Sequence, residues 1–393
     1  LSYLFIVECA MELPLLSVAI ATKNRQKYCI EAIKSILAYN EPSIEIAIAD
    51  NSETDEVKKF VESINHPSIK YRYDCVDNVS SIENFNRAIA LCTGEYLMLI
   101  GDDDSILPKA IEMAKWAKSK NIDSVCSTES LAYYWPNVLE KHPMGVMMIP
   151  SFTGKIVRVD INKQLKALLE NGLQLYLLYP LPKTYHGIVK RSIMEEIKKR
   201  TGHYYGGLSP DIYSSIAVSC IAKNHFVIDE PMSIAGVCAT STTADNLKGK
   251  HSGSLEGIPH LRHRHNYKFS QRIPLYYSVN TIWAESGLKA LEELQEERLL
   301  KNFNVYRLVA QAWIHNRKFI ALIMYQKHDE LRDRLKVNNL TFKIHLAKAT
   351  LNIIKAKITR EITKVFLNKK TKIIENLANL SDVIEKYGEE KHQ

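Results

Sequence analysis

An α/β fold, built on a mostly parallel central sheet and followed by an α-helical C-terminal region, is what this sequence predicts. Three observations predict it. Short apolar runs alternate with amphipathic stretches up to about residue 240. Several of those runs are apolar throughout, as strands buried on both faces are. From about Pro274 onward the spacing of apolar residues is helical only.

Leu15–Ala21 (LLSVAIA) is the first such strand, bounded by Pro14 and by the polar Thr22–Arg25. A helix carrying Tyr28, Ile30, Ile33, Ile36 and Leu37 follows and ends near Pro42. Ile44–Ala49 is a second strand closing on Asp50, residues 53–64 a second helix, and Ile69–Tyr73 a third strand. Asp77–Cys92 gives a helix that Thr93 and Gly94 terminate, directly before the apolar strand Tyr96–Ile100. A helix over Pro108–Lys120 leads to a strand at Asp123–Ser127. Residues 140–180 read as a β-ribbon and a helix, and a further helix starts at Ser192. Strand and helix alternating at this spacing imply a parallel sheet with helices on both faces.

The strand Tyr96–Ile100 ends at Gly101, and Asp102, Asp103 and Asp104 follow at once. Three adjacent carboxylates leaving a buried strand repel one another and are costly to desolvate. A hard divalent cation, Mn²⁺ or Mg²⁺, relieves that repulsion because it takes several oxygen ligands together. Open α/β sheets bind ligands outside the carboxyl ends of their strands, where this triplet falls. The plainer reading is an acidic turn that caps the helix from Pro108. A second carboxylate, Asp211, opens a helix after Gly206–Pro210. It reads either as a helix-start anion favoured by the dipole or as a general base at a cleft edge. The cluster Tyr133-Tyr134-Trp135 reads as a packed edge or as a platform for a sugar ring.

The chain has 393 residues, 46% apolar and 24% charged, with a net charge of +8, which fits an enlarged globular domain or two units. Seven scattered cysteines without a C-x-x-C spacing point to reduced thiols in the cytoplasm, not to a disulfide frame or a zinc site. No G-x-G-x-x-G and no P-loop occurs. No apolar run reaches the roughly 18–20 residues a membrane span needs. The apolar first ten residues lack a basic n-region, so no signal peptide is assigned, and Met11 is a candidate start.

The excess positive charge lies late. Leu351, Ile354, Ile358, Ile362 and Val365 form one helical stripe among Lys343, Lys348, Lys355, Lys357, Arg360, Lys364, Lys369, Lys370 and Lys372. Such a helix suits an anionic membrane surface, or else packs its stripe on the body and leaves its lysines in solvent. Nucleic acid is not an expected partner, because the front of the chain carries no basic, aromatic-laced surface.

Four segments, in order, resemble family 2 glycosyltransferases of the GT-A, Rossmann-like fold over about residues 14–240. They are LLSVAIATKNR, IAIADNSETD, NVSSIENFNRAIALCTGEYLMLIGDDDSILP and SPDIYSSIAVSCIAKNHFVIDEPMSIAG. The resemblance implies a catalytic domain over residues 11–240, a lid or acceptor loop over 241–270, and a helical region with a basic tail over 271–393. It implies that Thr22, Asn24 and Arg25 line a nucleotide pocket, bordered by Asn84 and Asn86. Asp50 would accept from the base of a UDP-sugar and Asp102 would face the ribose. Asp103 would hold Mn²⁺ or Mg²⁺, with Asp104 as a second ligand; His251, in the Ser-, Thr- and Gly-rich stretch 239–258, reads by itself either as a further metal ligand or as a solvated loop histidine. Asp211 would deprotonate the acceptor hydroxyl, with inversion at the anomeric carbon. Gly101 stands where many members carry the first Asp of a D-x-D, which moves ligation to Asp103. The expected setting is synthesis of a bacterial surface polysaccharide on a glycan or lipid-linked acceptor. The expected location is the cytoplasm, peripheral on the inner membrane face, with pairing of copies through the C-terminal helices left open. The competing readings are a sugar-phosphate nucleotidyltransferase, whose glycine-rich phosphate loop is missing here, and a non-catalytic membrane-docked scaffold.

Overall fold

The computed structural model describes residues 13–76, 78–240, 252–264, 266–367 and 371–391. Strands β1 (Leu16–Thr22), β2 (Ile44–Asp50), β3 (Ile69–Tyr73) and β4 (Tyr96–Ile100) lie parallel in the order β3-β2-β1-β4. Helices α1 (Gln26–Leu37), α2 (Glu56–Ile64) and α3 (Ser81–Ala90) make the crossovers. Side chains alternate between two cores. Val18, Ile20, Ile46, Ile48, Met98 and Ile100 enter one, while Ala19, Ala47, Ala49, Leu97 and Leu99 enter the other. Burial on both faces is why these runs carry no polar alternation. Each fully buried Leu or Ile contributes about 1.5–3 kcal/mol.

Further along come β5 (Ser105–Ile106), α4 (Pro108–Lys120), β6 (Ser124–Ser127), β7 (Leu131–Tyr134), β8 (Val146–Pro150), β9 (Ile156–Arg158) and α5 (Ile161–Glu170). They are followed by β10 (Gly187–Lys190), α6 (Arg191–Thr201), α7 (Pro210–Ile221), β11 (His225–Ile228) and β12 (Ser233–Val237). The main sheet continues from β4 as β10-β6-β11-β9, with β10 antiparallel to both β4 and β6. That reversal matters for the site. It carries Thr184–Gly187 past the carboxyl end of β4, where Leu99 N donates to Thr184 O at 2.8 Å and His186 N to Leu99 O at 3.0 Å.

Two expectations are settled by the packing. Tyr133 and Trp135 are buried, so that pair is core and not an open sugar platform. The expectation of helix alone after Pro274 fails at Thr371–Glu375, a strand that pairs antiparallel with β8 in a second sheet. Helix Leu380–Lys391 then sinks Leu380, Val383 and Tyr387 into the core that α1 also lines. The end of the chain therefore completes the front body. Among the described residues, no helix is long and apolar enough to cross a membrane.

Candidate active site

Register brings the predicted residues together at the sheet's carboxyl edge. Thr22 is the Cα partner of Asp50, and Ile20 that of Ile100, two residues before Asp102. The Thr22 hydroxyl donates to Asp102 Oδ2 at 2.6 Å. Arg25, at the start of α1, reaches across to Asp102 and donates from the same nitrogen to Asp103 Oδ1 at 2.9 Å. Its other terminal nitrogen donates to Cys238 Sγ at 3.3 Å. The two carboxylates thus converge on one positive group. Burial would lower the guanidinium's pKa, but Asp103, Cys238 and Asp104 around it hold it above the ordinary arginine value.

The three acids are not equivalent. Burial, reinforced by the charge of Asp104, pushes Asp103 above the ordinary carboxylate range against the pull of Arg25. Cys238 N donates to its Oδ2 at 3.1 Å, and Trp135 Nε1 to its carbonyl at 3.0 Å. Asp104 is enclosed on all sides. It accepts from Gly101 N at 2.6 Å, Gly236 N at 2.7 Å and Tyr185 OH at 3.2 Å, and pairs with His186 Nε2 at 3.2 Å. Burial would raise this carboxyl, yet His186 and the two amides hold it below the ordinary range. A carboxylate with this many protein donors braces the turn. A Cβ on Gly101 would lie 2.9 Å from Asp104 Oδ2, which explains why no side chain stands there.

Tyr185 lies in the electrostatic field of both this turn and Asp211. Its phenol is held protonated far above its usual range by burial and by the charges of Asp104, Asp103 and Asp211. Asp211 lies in the first turn of α7, where Tyr176 OH donates to its Oδ2 at 2.7 Å and the Ser209 hydroxyl donates to Oδ1. Tyr176 belongs to a single 3-10 turn, Tyr176–Leu178.

The amides predicted to line the pocket have backbone partners. Asn84 Nδ2 donates to Thr22 O at 3.1 Å and Ala49 O at 3.2 Å, tying β1 to β2. Asn86 donates to Tyr205 O and accepts from Tyr204 N and Tyr205 N, fixing the approach to Asp211. Asn24, at a left-handed φ of 56°, exchanges hydrogen bonds with Glu53. Asp50 is buried and accepts from Ser52 N at 2.8 Å and Tyr71 OH at 2.7 Å. His251 lies outside the described residues. A cavity of about 630 Å³ lined by Asn86, His203, Arg264, Lys268 and Lys289 opens beside this edge through the shared Asn86.

Among the described residues, no group of three or more His, Cys, Asp or Glu side chains is arranged to hold a metal ion. Asp102 and Asp103 nonetheless present the hard oxygen donors a divalent cation takes, at the point the Arg25 guanidinium holds.

The fold and site define an α/β protein with an acid turn and a separate carboxylate at the carboxyl edge of its sheet. The profile of the family described as Glycosyl transferase family 2 matches residues 17–155 of this chain. A protein of Escherichia coli strain K12 that bears the name colanic acid biosynthesis glycosyl transferase WcaA is 31% identical over 140 residues, 33% of this chain and 49% of its own. The chondroitin synthase of Escherichia coli is 26% identical over 137 residues, 31% of this chain and 20% of its own. The GalNAc(5)-diNAcBac-PP-undecaprenol beta-1,3-glucosyltransferase of Campylobacter jejuni is 31% identical over 101 residues, 25% of this chain and 33% of its own. The matches span half or less of each relative's length. The solved structure of S. aureus TarS 1–349 in complex with UDP-GlcNAc is 14% identical, with a TM-score of 0.47 over 85% of this chain and 79% of that one.

The sequence did not single out Tyr176, Tyr185 or Trp135 for these contacts, nor the pairing of Arg25 with the acids. His186 opens the short run His186-Gly187-Ile188-Val189 and carries no local signal for its pairing with Asp104. A lone aromatic gives no local signal for a partner 35 or 81 residues away.

Proposed function

We propose that this chain is an inverting glycosyltransferase. It moves a sugar from a nucleotide-sugar donor, a UDP-sugar, to a hydroxyl of a glycan or lipid-linked glycan in bacterial surface polysaccharide synthesis. The observation that carries the reading is the convergence of Asp102, Asp103 and Arg25 at the sheet edge, with Asp211 across Tyr185. The family match over residues 17–155 and the relatives' names support the class of reaction.

In this mechanism Asp211 takes the proton of the acceptor hydroxyl as its oxygen attacks the anomeric carbon and the bond to the diphosphate oxygen breaks. A sugar hydroxyl is a weak nucleophile, and a positioned base contributes about 10²–10⁴-fold. Tyr176 and Ser209 hold Asp211 in one orientation. Arg25 and Asp103 meet the diphosphate end: the guanidinium, freed from the acids, faces the leaving group's charge. Asp103, with Asp102, would hold Mn²⁺ or Mg²⁺, which supplies charge stabilisation to that leaving group when bound. Thr22 fixes the orientation of Asp102.

Calorimetric titration of UDP with and without Mn²⁺, followed by a nucleotide-sugar panel scored for donor hydrolysis, tests this reading. Metal-linked UDP binding and hydrolysis of one donor are expected. No UDP binding under either condition sinks it.

A further inference from the structure

Helix Asn339–Leu367 carries two apolar faces. One is used: Phe342, Ala349 and Ile353 are buried, the last two beside Ala310 of the preceding helix, Val305–Arg334. The other is not. Leu340, Ile344, Leu351, Ile354 and Ile358 are 48–70% exposed. Their spacings of four, seven, three and four keep them on one stripe of a 3.6-residue helix, opposite the buried face. Lys343, Lys348 and Lys355, all exposed, flank that stripe.

The stripe does not stop at the helix. A groove of about 640 Å³ runs beside it, lined by Leu178, Ile314 and Ile354 and edged by Arg307, His315 and Lys357. Leu177 and Leu178, each 58% exposed, continue the apolar surface onto the turn that begins with Tyr176. One apolar strip edged with cations therefore runs from the C-terminal helix to the residue that holds Asp211.

We propose that this strip docks on an anionic phospholipid leaflet. The apolar residues enter the headgroup boundary and the flanking lysines meet lipid phosphates, the arrangement of an interfacial helix. Charge decides between this occupant and a second copy of the chain. Between Asn339 and Glu361 the helix carries no carboxylate before Glu361 itself, so a symmetric copy would set Lys343, Lys348 and Lys355 against like charges. An anionic leaflet complements them. The proposal stands on this surface alone and does not require the catalytic reading.

The test is sedimentation of the full chain with vesicles of phosphatidylcholine alone, and of phosphatidylcholine with about one-third phosphatidylglycerol. Binding to the anionic vesicles at least about tenfold tighter than to the neutral ones is expected, weakening with salt. The triple variant Leu351→Glu, Ile354→Glu, Ile358→Glu and the charge variant Lys348→Glu, Lys355→Glu should each lose that binding. Both should keep the parent's thermal midpoint and UDP affinity, since every changed side chain is exposed. Equal binding by the parent and both variants overturns the proposal, as does a parent that stays in the supernatant. A parent dimer in solution that the triple variant converts to monomer also overturns it, assigning the strip to a second copy. Because UDP affinity is read separately, failure here leaves the catalytic reading untouched, and the reverse.

Discussion

The acid turn after β4 and helix Asn339–Leu367 use charge and apolar surface in opposite senses. At the turn, three carboxylates are drawn inside, each within a few percent of complete burial, and are met by protein donors. On the helix, five large aliphatic side chains are left outside and ringed by lysines. Buried anions are expensive unless paired, and exposed aliphatic stripes give up the burial energy a fold is built on. The turn meets its cost with protein donors, whereas the stripe is left without apolar cover. In the proposed reading the turn's ligand is a cation with a diphosphate, and the helix's is an anionic surface.

The largest effect expected is at the turn. Asp103→Ala should reduce transfer by roughly three orders of magnitude or more, since metal and guanidinium positioning supply several kcal/mol at the leaving group. UDP binding should also lose its dependence on Mn²⁺. A variant with parental turnover would break the contrast, leaving the turn a brace for β4. Next comes Asp211→Asn, expected to lower turnover about 10²–10⁴-fold with donor affinity nearly unchanged. A large loss of donor affinity would move Asp211 to the donor side.

How much of this was legible in the sequence follows from range. The strand Tyr96–Ile100 and the three acids after it could be read because every signal is contiguous. The stripe on the late helix could be read because helical periodicity is local, although its direction could not: periodicity marks a face, not what covers it. The pairing of Arg25 with Asp102 spans 77 residues, and that of Tyr176 with Asp211 spans 35. Neither has a spacing rule. The resemblance implies that Asn84 and Asn86 border the pocket; their bonds to backbone atoms, which tie β1 to β2 and hold Tyr204 and Tyr205, have no spacing rule either. The strand Thr371–Glu375 escaped notice because it is five residues long and its partner, β8, is more than 200 residues earlier.

Stability gives a second comparison, between β11 and helix Val305–Arg334. Burial pushes His225 in the first and His328 in the second down to about 4, and lowers His315 in the second as well. Each folded pKa lies below its unfolded value near 6.5, so as pH falls the unfolded chain takes the proton first. The stabilisation is full above about pH 6.5 and is lost progressively towards pH 4, by about 3 kcal/mol for each residue. Urea unfolding at pH 7.5 and 4.5 should show this loss, and His225→Gln and His328→Gln should each reduce it. If only one substitution does so, the two elements lose their structure separately. If neither does, the carboxylates of the acid turn govern acid sensitivity.

The smallest effect expected is also the one that joins the two regions. Tyr176 donates to Asp211, and its neighbours Leu177 and Leu178 belong to the exposed strip. Tyr176→Phe removes one hydrogen bond to a carboxylate and preserves the ring packing against Trp283. A hydrogen bond to a charged group is worth about 1.5–3 kcal/mol when lost outright. Ser209 still holds the other oxygen, so a fall in turnover of only about tenfold is expected, with KM for the donor unchanged. Parental turnover would mean that Ser209 alone is enough to hold Asp211. In that case the strip and Asp211 are neighbours in space without being coupled.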